Sequence, residues 1–280
     1  VKIERKPEWL QKKSRQGEQA GMIQLLGELR LNTVCQQALC PNISECFSCG
    51  QATFLILGRN CTRLCSFCNV EKTTPLTIDA DEPERVAEAV KRLDLSHVVI
   101  TSPTRDDLPD GGAGFYAATV AAIRSVSPDT KIELLIPDFK GNPASLEIVT
   151  ASRPHILGHN VETVPSLYHI RSGSYYHRSL DVLRIFRELA PEIRTKSGIM
   201  FGMGEKREEV LQVFADLRKV GCSYLSIGQY LAPSRAHYPV QEYIKPEIFE
   251  EFREAALKFG FDHVESGPYV RSSYHAGRYE

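Results

Sequence analysis

Apolar positions along the chain fall into short β-rich runs, each followed by a stretch with apolar residues at helical spacing. The first run, Phe54 to Leu57, leads through a cysteine-rich loop to a helix predicted from about Glu82 to Leu93. His97-Val98-Val99-Ile100-Thr101 precedes a helix near Tyr116 to Val126, and Ile132 to Ile136 precedes one near Ala144 to Thr150. His155 to Gly158 pairs with the helix Leu180 to Leu189, and Arg194 to Met200 with Glu205 to Val220. Tyr224 to Ile227 and the helix Pro246 to Phe259 complete a sixth unit. Six consecutive βα units argue for a parallel sheet, doubly wound or curved toward a barrel, and six is two short of a closed eightfold barrel. In such folds the chemistry gathers at the C-terminal ends of the strands. Ahead of these units, Met22 to Leu29 presents one apolar face, which reads as a docking helix.

Composition narrows the class. The 280 residues are 42% hydrophobic and 25% charged, as in an ordinary globular protein. Lys and Arg number 34 against 35 Asp and Glu, so the basic bias of a dedicated nucleic-acid binder is missing. The most apolar run, Ala52 to Leu57, is far shorter than the roughly 18 residues of a membrane span. Val1 to Pro7 lacks the apolar segment of a secretory signal, so we expect a cytoplasmic protein with no membrane partner. In a reducing compartment, clustered thiols are metal ligands or catalysts more often than disulfides. Seven of the eight cysteines fall between Cys35 and Cys68.

Cys61, Cys65 and Cys68 follow the first strand at C-x3-C-x2-C spacing. Three thiols on one loop can hold three irons of a cubic iron–sulfur cluster and leave the fourth iron open. A structural zinc site is the alternative, but it wants a fourth ligand and a C-x2-C knuckle pair. With Phe67 just before its last cysteine, the triplet resembles the signature of the radical S-adenosylmethionine (SAM) superfamily. There the open iron chelates SAM, and a reduced cluster cleaves it to a 5′-deoxyadenosyl radical.

A second triplet lies upstream, Cys35, Cys40 and Cys46, at C-x4-C-x5-C spacing. Together with Leu31-Asn32-Thr33-Val34, Pro41 to Cys46 and the terminal Arg271-Ser272-Ser273-Tyr274, it closely resembles the lipoyl synthase family. The resemblance extends over nearly the whole chain, through Gly58 to Val70, Thr104 to Ala113, Gly158 to Thr163, Lys196 to Gly202 and Gly228 to Leu231. It implies an α/β fold, a partial (β/α)6 TIM-like barrel over residues 51–262. Residues 1–50 form an N-terminal extension carrying the auxiliary cysteines, and 263–280 a tail carrying the serine motif. It further implies two [4Fe–4S] clusters, one of them sacrificial and held by Cys35, Cys40, Cys46 and Ser273. The implied reaction inserts sulfur at C6 and C8 of an octanoyl-lysine. The implied partners are an octanoylated lipoyl carrier domain or glycine-cleavage H protein, a low-potential donor such as ferredoxin or flavodoxin, and iron–sulfur assembly proteins.

Other residues carry two readings each. Ser273, with Arg271 beside it, is assigned to the reaction by the family pattern alone, since a Ser-Ser pair otherwise marks a surface turn. Phe67 can offer its ring to adenine or simply pack. Thr101 and Ser102 close the second strand, where related enzymes bind the SAM amino group, or else they cap a turn. Asn160 and Glu162 end the fourth strand and suit ribose hydroxyls or the ammonium, unless their loop is merely solvated. Arg171, Lys196 and Arg63 are candidates for carboxylate or substrate contacts, or surface charges. Asp106 to Gly112 matches no EF-hand and reads as a loop near the site entrance. Gly202-Met203-Gly204 lacks the third glycine of a dinucleotide fingerprint, and His155, His159 and His169 lack metal spacing. Cys49 reads as a bystander and Cys222 as core.

Overall fold

The computed structural model describes residues 6–12, 19–274 and 276–279. Parts of the expected N-terminal extension (1–5, 13–18) and of the tail (275, 280) lie outside the described residues. The chain begins with α1 (Ala20–Glu28), β1 (Asn32–Thr33), α2 (Val34–Gln37), α3 (Ile43–Ser48) and β2 (Thr53–Leu55). Strands and helices then alternate: α4 (Glu82–Arg92), β3 (His97–Thr101), α5 (Ala113–Val126), β4 (Lys131–Leu135), α6 (Pro143–Ala151) and β5 (Ile156–Gly158). They continue as α7 (Tyr176–Leu189), β6 (Arg194–Phe201), α8 (Arg207–Lys219), β7 (Tyr224–Gln229), α9 (Pro246–Lys258) and β8 (His263–Gly267).

All strands join one open sheet in sequence order, β1 pairing antiparallel with β2 and every later neighbour parallel. The six expected strands are present, and β1 and β8 extend the sheet at its edges. Neither could be read from hydrophobicity. β1 has only two polar residues, and β8 has one buried apolar side chain, Val264, in a half-buried edge strand.

Alternation along each strand divides its side chains between two environments. Val98, Ile100, Ile132 and Leu134 point outward into a core shared with Val86 and Val90 of α4 and Val120 and Ile123 of α5. On the other half, Ile199, Phe201, Leu225 and Ile227 pack against Val213 and Phe214 of α8 and Phe249 and Phe252 of α9. The inward face of the curled sheet is different: it carries Thr101, Leu135, Gly198 and Ser226 near the strand ends, and Glu133, Lys196 and Tyr224 further down.

The segments flanking the barrel are tied to each other. Asn42 Nδ2 donates to Tyr269 O at 2.7 Å and its Oδ1 accepts from Lys12 Nζ at 2.8 Å. Tyr274 donates its hydroxyl to Glu45 at 3.1 Å. The tail crosses β7 so closely that a Cβ on Gly228 would sit 2.1 Å from Val270 O. That contact is with backbone, which cannot swing aside. Gly228→Ala is therefore expected to destabilise the protein by about 1–3 kcal/mol. Gly21→Ala, in α1 with nothing within 4 Å of the added methyl, is expected to stabilise it by up to ~1 kcal/mol. Chemical denaturation of both variants checks the opposite signs; an unchanged midpoint in Gly228→Ala contradicts the close approach.

Candidate active site

The site starts at the turn that leaves β2. Leu57 and Gly58 both take positive φ, 66° and 80°, and a leucine in that region has to be held there. Leu57 N–H donates to the buried carboxylate of Glu82 at 2.7 Å, and Leu57 O accepts from Arg105 Nη1 at 3.0 Å. A side chain on Gly112 would meet Leu57 Cδ1 at 2.3 Å, so glycine is needed where α5 begins. From this turn the cysteine loop is strapped to its neighbours: Cys61 N–H to Glu71 O at 2.7 Å, Thr62 N–H to Thr104 O at 3.0 Å, Ser66 N–H to Ile170 O at 2.9 Å and Tyr238 N–H to Ser66 O at 2.9 Å.

Arg63 locks the loop from below. Its guanidinium, 6% exposed, reaches Asp106 at 2.8 and 3.0 Å, Asp138 at 2.6 Å and Ser174 Oγ at 2.9 Å. Burial opposes ionisation of Asp138, but the bonded Arg63 outweighs it and holds that carboxyl at about 2. Arg63 is therefore an internal strut and not a surface charge. Asp138, just beyond β4, occupies a strand end where binding or positioning groups are expected, although the sequence reading did not select it.

A cavity of about 640 Å³ opens at the C-terminal ends of the strands. It is lined by Cys61, Cys65 and Cys68, by Cys35 and Cys40, and by Arg271, Ser272 and Ser273. Phe67, Thr101, Ser102, Asn160, Glu162 and Arg171 line it as well. Cys46 does not, but it belongs electrostatically with Cys35 and Cys40: burial, then repulsion from those two thiols, pushes its own up to about 12. Burial likewise pushes Cys68 up to about 12, with Cys65 and Cys61 adding to it, and raises Cys35 and Cys65. Burial thus favours the protonated form of Cys35, Cys46, Cys65 and Cys68, and binding of a cationic iron centre would draw those protons off. That donor chemistry fits an iron–sulfur cluster at each triplet.

Polar groups close the other walls. Asn160 Nδ2 donates to Glu162 Oε1 at 3.1 Å and to Ser272 Oγ at 2.6 Å. Glu162 itself has φ of 67°; burial raises its carboxyl, against the pull of Arg171. Arg171 donates to Tyr168 Oη at 2.7 Å and Ser179 Oγ at 3.0 Å. Ser179 Oγ also meets His159 Nε2 at 3.0 Å, and burial brings that imidazole down to about 4, so it is neutral. Ser179 and Tyr168 give no sequence signal, since they enter from different turns. Thr101 donates to Leu135 O at 2.8 Å, and Ser102 Oγ accepts from Tyr116 at 3.0 Å. Ser273 Oγ accepts from Thr53 Oγ1 at 2.6 Å, while Arg271 donates to Val270 O at 2.7 Å. Among the described residues Arg271 has no carboxylate partner, and it lies near Cys40.

Lys196, like Cys46, does not line this cavity. It is 2% exposed, inside the barrel below the cavity, and bonded to Glu133 at 3.0 and 3.2 Å. Cys49 is exposed beyond α3 and Cys222 is fully buried in the core.

Residues 55–217 match the Radical SAM superfamily. The chain is 71% identical over 278 residues to a lipoyl synthase of Geobacter metallireducens, covering 99% of this chain and 98% of that protein. It is 68% identical over 280 residues to one of Trichlorobacter lovleyi, covering both in full, and 53% identical to one of Caldicellulosiruptor saccharolyticus over 96% of this chain and 95% of that one. Among solved structures, Streptococcus suis SuiB bound to its precursor peptide SuiA aligns with a TM-score of 0.60 at 12% identity, over 76% of this chain and 48% of that one. Methylornithine synthase aligns at 0.56 and 14%, over 75% and 69%; both show a shared fold. On its sequence and its barrel, the chain belongs to the lipoyl synthase family of radical SAM enzymes.

Proposed function

We propose that this enzyme inserts two sulfur atoms, at C6 and C8, into an octanoyl chain amide-linked to a lysine of a lipoyl carrier domain or glycine-cleavage H protein. The observation that carries the reading is the cavity into which Cys61, Cys65 and Cys68 open together with Cys35, Cys40 and Ser273. Cys61, Cys65 and Cys68 hold one [4Fe–4S] cluster with an open iron for SAM, and Cys35, Cys40, Cys46 and Ser273 hold a second. When bound, the first supplies the electron that cleaves SAM to methionine and a 5′-deoxyadenosyl radical, and the second supplies sulfide. The target carbons carry unactivated C–H bonds that no side-chain base deprotonates, which is why a radical is required.

The chain's own residues bind, orient and exclude water. Phe67 and the loop around it flank the adenine, Asn160 and Glu162 face the ribose or ammonium, and Thr101 and Ser102 lie at the amino end of SAM. Arg171, fixed by Tyr168 and Ser179, brings a positive charge to the same wall as Glu162. Arg271 places a cation beside the second triplet, where an anionic cluster needs one. Ser273 offers an oxygen, a harder ligand than thiolate in a sulfur-rich site. A low-potential donor such as ferredoxin or flavodoxin supplies electrons, and iron–sulfur assembly proteins rebuild what is consumed. No helix among the described residues is long and apolar enough to cross a membrane, and we place the reaction in the cytoplasm.

The reading is tested by anaerobic incubation of cluster-reconstituted protein with SAM, reductant and an octanoyl-lysine peptide, followed by mass spectrometry. The expected product gains two sulfurs and loses two hydrogens while 5′-deoxyadenosine accumulates. Deoxyadenosine with an unchanged peptide would refute the substrate assignment. Ser273→Ala is expected to leave SAM cleavage largely intact and cut sulfur insertion; an unchanged lipoyl yield would remove the serine from the second site.

Arg63→Met removes the cation that Asp106 and Asp138 share and leaves Asp138 with Arg178 alone, at 3.3 Å, so it is expected to destabilise the apoprotein by about 2–3 kcal/mol. The pH dependence has a definite sign. Asp138, held at about 2 against an ordinary 3.8, contributes stability above 3.8 that is lost as pH falls toward 2. Acid titration of the variant's denaturation midpoint should therefore be flatter across that window than the parent's.

A further inference from the structure

Below the cavity the barrel interior holds a second, polar layer that the reaction does not use. Side chains two apart on a strand share a face. Gly198 and Ser226 line the cavity, so Lys196 and Tyr224 point into the same interior one layer lower, as Glu133 does below Leu135. Lys196 and Glu133 are 2% and 1% exposed and form an ion pair at 3.0 Å. Burying such a pair stabilises little by itself, because desolvation offsets most of the attraction. What covers it is Tyr279.

The Tyr279 ring is 4% exposed, and Lys196 Nζ stands 3.6 Å from its centroid. Tyr224 and His263, at the starts of β7 and β8, flank it with ring centroids 5.4 and 4.7 Å away. Ile156, at the start of β5, completes the seat. The described parts of the tail therefore lie at two levels, Ser272 and Ser273 at the cavity and Tyr279 beside residues at the opposite end of the strands. Upstream of Ser273 the tail is fixed by the close approach of Val270 to Gly228; downstream it is fixed by this ring. The tyrosine hydroxyl approaches Ser226 but makes no hydrogen bond of normal geometry among the described residues, and its π face makes the contact with Lys196.

We infer that Tyr279 is a positioning residue: seated on the Lys196–Glu133 pair, it latches the tail inside the barrel and holds Ser273 at the second cysteine triplet. The inference rests on the assignment of Ser273 made above. It also gives Lys196 a purpose that its burial otherwise lacks, as the cation that selects an aromatic ring in the tail. A desolvated cation over a ring is among the stronger contacts of its kind.

The test compares Tyr279→Phe, which keeps the π face, with Tyr279→Leu, which fills the seat without one, and Tyr279→Ala. Three quantities are read: hydrogen exchange of residues 268–274 in the apoprotein, iron bound after reconstitution, and the ratio of lipoyl product to 5′-deoxyadenosine. The Phe variant is expected to match the parent in all three. In the Leu and Ala variants exchange at 268–274 is expected to rise about tenfold, with the product ratio falling by a similar factor. Iron should drop toward half, while deoxyadenosine formation persists. If the Ala variant does not fold, the Leu variant decides. Parental exchange and parental product ratio in Leu would overturn the latch, as would a Phe variant that falls with Leu. A parent protein that makes deoxyadenosine but no lipoyl product refutes the proposed function instead, and the exchange measurement then still judges the latch on its own.

Discussion

The interior of a curled parallel sheet must be filled by the chain or left open to a ligand, and here the boundary between the two runs through Gly198. An added Cβ would lie 2.9 Å from Asn160 Oδ1, 2.9 Å from Ser226 Oγ and 3.1 Å from Ser272 Oγ. Because β6 carries no side chain at that point, a barrel residue and a tail residue can meet across it, Asn160 bonding Ser272 at 2.6 Å. Above this polar floor lies the cavity with its thiols; below it sits the tail's Tyr279, against Lys196. The cavity's depth is thus set by residues from both ends of the chain's second half.

Electrostatics follow the same division. Two deeply buried cations are met by carboxylates from other elements: Arg63 by Asp106 and Asp138, and Lys196 by Glu133. Removing one member of such a pair is costly, while the intact pair contributes little net stability. Their value is geometric, since an ion pair with several hydrogen bonds fixes where a loop or a tail can lie. Arg63 does so for the cysteine loop, between Cys61 and Cys65, and Lys196 does so for the tail.

Much of the fold was legible because its signal is local. Runs such as His97 to Thr101 and Ile132 to Ile136 announce buried parallel strands, and the amphipathic stretches between them announce covering helices. β8 was not legible: His263-Val264-Glu265-Ser266-Gly267 lacks a hydrophobic run, and its place is fixed by β7 rather than by its own composition. The cysteine triplets and the candidates at strand ends were found by spacing and position, and the cavity collects most of them. Lys196 was misread because it sits on a strand that ends in the site. Strand alternation gives its face but not its depth, and two residues, about 7 Å along a strand, separate the cavity wall from the layer beneath. Thr53 and Asp138 act through partners far away in sequence, and a short polar side chain gives no sign of which distant partner it will find.

The two triplets are held in physically different ways. The Cys61 loop is strapped by backbone hydrogen bonds to four separate segments and pinned by a guanidinium out of solvent. The Cys35 to Cys46 segment meets the tail through side chains, Asn42 with Tyr269 O at 2.7 Å and Tyr274 with Glu45 at 3.1 Å, and meets the N-terminal segment through Lys12 with Glu45, a pair at 28% and 37% side-chain exposure. Water screens such a pair, and its worth is small. Local opening is governed by how much buried structure must be given up, and for the second triplet that structure includes Asn42, 1% exposed, with its bond to the tail. The second triplet is thus enclosed by segments from both ends of the chain, and its geometry depends on the register of the tail, which the inner anchor deep in the barrel keeps.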